Sequence, residues 1–263
     1  FCSLRGPVLF TRNLTRRALV SALLVTQAAS AFARQGADPG TVIDRIVLDD
    51  LVFPFERTLG TGDRFGGGMA ALGDLNGDGL KEFAVGAPGD DLARGATWIF
   101  SLTSARTVAK FVKLGPDENL PFDLRRVDEF GTAIASPGDL DGNGVGDLAV
   151  GAPGGSGGAV HLLFLSTRGT IEHHLRIDRF SPALVGQLGT NDDFGSSLAA
   201  LGDLDENGVE DLAVGAPGSG SLFILFLAAD RSILSARKLS GASYGRSLAA
   251  LGDLDGDGVE DLA

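Results

Sequence analysis

Short apolar runs separated by glycine, proline and Asp-Gly turns recur along the chain from about residue 63 onward. Between residues 130 and 178 four such runs stand out: Thr132–Ser136, Asp147–Ala152, Ala159–Leu165 and Thr170–Ile177. Each falls in the length range of a β-strand, and Val, Ile, Leu and Phe dominate them. No apolar pattern with a period of 3.6 persists for three turns, so the predicted elements are strands and not helices.

The same run of elements repeats. DRFGGGMAALGDLNGDGLKEFAVGAPG starts at Asp63, DEFGTAIASPGDLDGNGVGDLAVGAPG at Asp128, DDFGSSLAALGDLDENGVEDLAVGAPG at Asp193 and SYGRSLAALGDLDGDGVEDLA at Ser243. A repeat of this size is one supersecondary unit that needs its neighbours to cover its apolar faces. Four strands per unit, repeated radially, predict an all-β fold, a β-propeller of four-stranded blades. The units are placed at 58–122, 123–187, 188–238 and 239–263, the last of them truncated. Val42 stands as far before Phe65 as Ile171 stands before Phe194, so Thr41–Leu48, within a linker at 34–57, is predicted to be an outer strand that closes the ring. The chain opens on Phe1 and stops inside its fourth unit, which points to a piece of a longer protein.

Composition changes this picture in two respects. Glycine makes up 39 of 263 residues, about twice the ordinary share, as a fold of many tight turns requires. Acids outnumber bases 34 to 22, a net charge of −12 that argues against nucleic acid and anionic membranes as partners and favours cations. Residues 1–33 hold no acid, and they run from arginines (Arg5, Arg12, Arg16, Arg17) through the apolar stretch Ala18–Ala33 to Ala31-Phe32-Ala33. That order is a secretory signal peptide, and the apolar stretch is shorter than the ~20 residues of a membrane span. The expected location is therefore secreted, extracellular, at the cell surface or periplasmic. The sole cysteine, Cys2, lies in the leader, as does the glycosylation pattern Asn13-Leu14-Thr15, so the mature chain is expected to use no disulfide.

The candidate chemistry lies in four acidic loops. The oxygen-bearing side chains are Asp74, Asn76, Asp78 and Glu82; Asp139, Asp141, Asn143 and Asp147; Asp203, Asp205, Asn207 and Asp211; and Asp253, Asp255, Asp257 and Asp261. They stand at loop positions 1, 3, 5 and 9, with glycine always at position 6. Hard-oxygen donors converging from a tight loop suit Ca²⁺, and the carbonyls of position 7 (Leu80, Val145, Val209 and Val259) would add a backbone ligand. Without a cation, each cluster holds like charges a few ångströms apart at a cost of several kcal/mol (order of magnitude) even at an effective dielectric of ~20. An EF-hand does not fit: its loop needs a glutamate at position 12, where this chain has Val85, Val150 and Val214, and flanking helices instead of strands.

Phe-Gly at 65–66, 130–131 and 194–195, the Asp-rich loop, and Gly-Ala-Pro at 86–88, 151–153 and 215–217 together resemble the FG-GAP repeat. The resemblance implies the calcium-binding N-terminal β-propeller of integrin α subunits, commonly seven-bladed. Three departures stand out: Tyr244-Gly245 replaces Phe-Gly, the fourth unit has no Gly-Ala-Pro, and Glu82 replaces aspartate at position 9. Glutamate reaches further, so the first loop is expected to bind most weakly. Phe65, Phe130 and Phe194 are expected to pack between adjacent blades.

No catalytic group is expected, and the chain reads as a non-enzyme. Gly154–Gly158 matches a nucleophile-elbow pattern but lies in a glycine turn without a strand-to-helix context. His161, His173 and His174 read as strand residues, the last two pointing to opposite faces. The expected function is a secreted, calcium-binding adhesion module for a macromolecular ligand, protein or polysaccharide. The alternative is the non-catalytic propeller of a larger secreted enzyme, phospholipase-like or acting on polysaccharide.

Overall fold

The computed structural model describes residues 59–263 except 117, 257 and 258, together with two short strands, β1 (Ala22–Leu23) and β2 (Val47–Leu48), paired antiparallel. The rest of the predicted leader at 1–33 and of the closing strand Thr41–Leu48 lies outside the described residues.

Three four-stranded antiparallel sheets follow one another, each a meander in chain order. The first blade is β3 (Met69–Gly73), β4 (Glu82–Ala87), β5 (Ala96–Leu102) and β6 (Val108–Leu114), with one helical turn, α1 (Asp90–Ala93), between β4 and β5. The second is β7 (Ile134–Ala135), β8 (Leu148–Ala152), β9 (Ala159–Leu165) and β10 (Ile171–Asp178). The third is β11 (Leu198–Ala200), β12 (Leu212–Ala216), β13 (Ser221–Leu227) and β14 (Ile233–Ser240). A two-stranded start to a fourth, β15 (Ala250–Gly252) and β16 (Asp261–Leu262), ends the chain. The chain is all-β, and its sheets are propeller blades.

Burial follows strand position. β4, β8 and β12 are buried at every residue, and apart from Glu82 at the head of β4 their sequences are unbroken apolar runs; one face of β4 is covered within its own blade, where Phe83 and Val85 cluster with Phe65, Trp98 and Phe100. The outer strands β6, β10 and β14 are half exposed and carry most of the charged strand residues of each blade. The apolar core is a set of wedges between blades: one joins the first and second, through Leu72, Ile99, Ile134 and Val150, and a larger one joins the second and third, through Val160, Phe164, Val214 and Phe223.

The Phe-Gly and Gly-Ala-Pro motifs make the joints. Phe130 N–H donates to Arg94 O at 3.0 Å and Phe194 N–H to Gly157 O at 3.0 Å, so each Phe-Gly segment bonds the chain just before the third strand of the preceding blade. The following glycine donates within its own blade, Gly131 to Gly151 O at 3.0 Å and Gly195 to Gly215 O at 2.9 Å. A side chain on Gly86 would run into the Gly131 carbonyl, and one on Gly151 into the Gly195 carbonyl. Bare backbone on both sides is what lets two blades approach this closely. Phe130 and Phe194 are fully buried in the wedges between blades. Phe65 instead packs edge-on against Trp98 and Phe100 of its own blade, at 5.7 and 6.2 Å between ring centres, with no described blade ahead of it.

Candidate metal centre

Each acidic loop joins the first and second strands of its blade. It is anchored by apolar residues at positions 2 and 7: Leu75, Leu140, Val145 and Val209 are buried in the wedges, whereas Leu254 in the fourth loop is 70% exposed. Between the anchors, the position 1 aspartate organises the turn by accepting backbone N–H groups. Asp139 takes Gly142 and Asn143 on Oδ1 (2.8 and 3.0 Å) and Gly144 on Oδ2 (2.7 Å). Asp74 takes Gly77, Asp78 and Gly79, and Asp203 takes Asn207 and Gly208, in the same way. Carboxylate-to-amide bonds of this kind fix a short loop without secondary structure.

Position 9 is the buried end. Asp147 and Asp211 are wholly buried, and each bridges two elements. Asp147 accepts Leu140 N–H from its own loop at 2.9 Å and Leu165 N–H from the end of β9 at 2.9 Å. Asp211 accepts Leu204 N–H and Leu227 N–H, both at 3.0 Å. Burial, with a smaller contribution from the neighbouring carboxylates, pushes Asp147 up to about 6 and raises Asp211 in the same direction, against the hydrogen bonds that lower both.

Three groups of carboxylates converge with ligand oxygens within 4.8 Å of one another: Asp139, Asp141 and Asp147; Asp203, Asp205 and Asp211; and Asp253, Asp255 and Asp261. Oxygen donors alone fit a hard divalent cation, and in the first two groups they gather around a buried carboxylate, Asp147 or Asp211, that is reluctant to ionise unaided. Asp257 lies outside the described residues. The first loop is built differently. Glu82 accepts Leu75 N–H (2.7 Å) as Asp147 and Asp211 accept the position 2 N–H of their loops, but its other oxygen takes Asn76 Nδ2 (2.8 Å) from its own loop, and with Asn76 in place of an aspartate at position 3 this loop lacks the third acid that the other groups gather.

The family model of the FG-GAP repeat matches residues 65–100, 130–163 and 194–225, one match on each complete blade. This is an FG-GAP repeat protein. Integrin alpha-PS5 of Drosophila melanogaster is 35% identical to it over 210 residues, 78% of this chain and 20% of that protein. Human integrin alpha-IIb is 36% identical over 166 residues, 60% of this chain and 15% of that protein. The chain thus spans about a fifth or less of the length of the curated relatives it matches. Among solved structures, a rhamnogalacturonan lyase, YesW, aligns over 74% of this chain and 40% of its own with a TM-score of 0.44 and 16% identity.

Three features of these FG-GAP blades are not evident from the motif. Asn143 and Asn207, at position 5, accept the N–H of position 7 and donate Nδ2 to Leu165 O (3.0 Å) and Leu227 O (2.7 Å). With the position 9 aspartate, each asparagine clamps both backbone groups of the last residue of the third strand. The only sequence signal is Asn against Asp at position 5: in the first loop Asp78 accepts Leu80 N–H and has no amide to donate. Arg231, from the turn after β13, places Nη2 3.2 Å from Asp141 Oδ2. Finally, a bulge at the start of β10 sets His173 outward and His174 inward, where its Nε2 lies 2.9 Å from His161 Nδ1 and both rings stack on Phe122. Burial holds both imidazoles well below their usual range, His174 at about 4, and the pair is packing between blades. Ser156 lies exposed on the turn between β8 and β9. No helix among the described residues is long and apolar enough to cross a membrane.

Proposed function

We propose that this chain is part of a secreted adhesion protein, a propeller whose loops take calcium and whose blades present a surface to a macromolecular ligand, protein or polysaccharide. The observation that carries the reading is the convergence of three carboxylates in the same register on successive FG-GAP blades. The integrin α chains to which it is similar support the adhesion half. In this reading Asp139, Asp141, Asn143 and Asp147 hold one ion, their counterparts from Asp203 to Asp211 a second, and those from Asp253 to Asp261 a third, with the carbonyls of Val145, Val209 and Val259 contributing. The first loop, with Asp74, Asn76, Asp78, Leu80 and Glu82, is the weakest. A bound divalent ion supplies charge neutralisation; the chain supplies the donors and the strand ends that the loops hold in place. The chain itself carries out no reaction.

The test is a thermal melt of the chain in excess Ca²⁺ and in chelator, repeated with Asp205→Ala and Asp255→Ala. At a calcium concentration of about 100 Kd, one site adds ~2.7 kcal/mol of stability. A calcium-dependent rise that each substitution reduces is the expected result. Equal melting in calcium and chelator would remove the metal from the reading.

A further inference from the structure

The three complete blades end their third strand in turns of the same build. Thr103 N–H donates to Thr107 O, Ser166 to Thr170 O and Ala228 to Ser232 O, and in each turn a second bond closes from Arg106, Gly169 or Arg231. Those three residues share the left-handed backbone conformation, with φ of 62°, 75° and 68°. This conformation suits glycine, and an arginine adopts it at a cost. The second turn has that glycine: Gly169 sits against Ile99 and Val112 of the preceding blade and sends no side chain toward the first loop. The third turn carries Arg231 instead, and its side chain crosses to the second blade. The guanidinium lies 5.4 Å from the centre of the Phe164 ring, and Nη2 meets Asp141, whose side chain is 3% exposed. Asp205, which holds the same position in the third loop, is exposed and has no ion pair among the described residues.

We propose that Arg231 is the resident counter-ion of the second loop and sets its affinity for divalent cations. It occupies a carboxylate oxygen that a cation needs, so the second loop loads at higher calcium than the third, and loading releases the turn of the third blade from Asp141. The inference rests on the calcium reading above. It gives neighbouring blades of one repeat family different affinities through a residue outside both loops.

The test is a calcium titration of the whole chain followed by the amide resonances of Gly144 and Gly208, whose N–H groups are held by Asp139 and Asp203. Arg231→Gly copies the second turn and relieves the backbone; Arg231→Gln keeps the length of the side chain and removes its charge. In the unaltered chain Gly208 responds at lower calcium than Gly144. In both variants the Gly144 midpoint falls about tenfold, the change that loss of one partly buried ion pair supports, while the Gly208 midpoint stays in place. A Gly144 midpoint that is unchanged or raised in either variant overturns the proposal and leaves the calcium reading intact. If neither glycine of the unaltered chain responds, the calcium reading fails and the proposal fails with it.

Discussion

Asp147 shows how much one buried carboxylate in this fold is asked to do. Its two oxygens tie Leu140 to Leu165, and two further carboxylates stand close by. With its carboxyl pushed up to about 6, it keeps a proton to higher pH in the folded chain than in the unfolded one. On the calcium reading proposed above, the ion must displace that proton, so proton and calcium compete. The affinity of the second loop is expected to rise about tenfold per unit from pH 5 to pH 6 and to level off above pH 7. Titrations followed at Gly144 across that range check it, and a flat profile would show that the carboxylate ionises at its ordinary pKa. The presence of an aspartate here was legible from the spacing of the motif. Its burial was not, because burial comes from β9 and from the blade next to it.

At the scale of the element, the strand boundaries were largely readable. The expected Ala159–Leu165 is the observed β9, and Thr170–Ile177 differs from β10 by one residue at each end. The innermost strands are shorter than expected: Thr132–Ser136 is reduced to the two residues of β7. There the backbone of Gly131 and Ala133 bonds Gly151 as isolated contacts before a regular ladder can form. Asparagine at position 5 illustrates what the pattern concealed. Asn207→Ala is expected to cost about 1–2 kcal/mol, because it leaves the Leu227 carbonyl without its donor at a buried strand end. Urea unfolding measures it. Asn76→Ala in the first loop is expected to cost less, since Glu82 keeps its bond to Leu75 N–H.

Across the whole molecule, two glycines separate the contribution of the joints between blades from that of the turns. Gly131 and Gly142 both have positive φ, 94° and 75°. A side chain on Gly131 would meet the Ala96 carbonyl at 2.5 Å across the joint, whereas one on Gly142 would meet nothing within 4 Å. Gly142→Ala is therefore expected to cost only ~1 kcal/mol of backbone strain, and Gly131→Ala well over ~2 kcal/mol. Equal costs in urea unfolding would mean that the joint yields freely. The FG-GAP register thus doubles as an assembly code: Phe seals a wedge, and glycine opposite glycine sets the spacing.

The sequence by itself determined the all-β class, the four-strand unit and the register of the acidic loops, because each of these is a local pattern repeated in one chain. Tertiary structure decided which carboxylates are buried, that Glu82 closes back on its own loop, that His174 turns inward to His161, and that Arg231 reaches Asp141 from ninety residues away. Those outcomes depend on what a neighbouring blade brings within hydrogen-bond distance, and spacing along one strand carries no information about that.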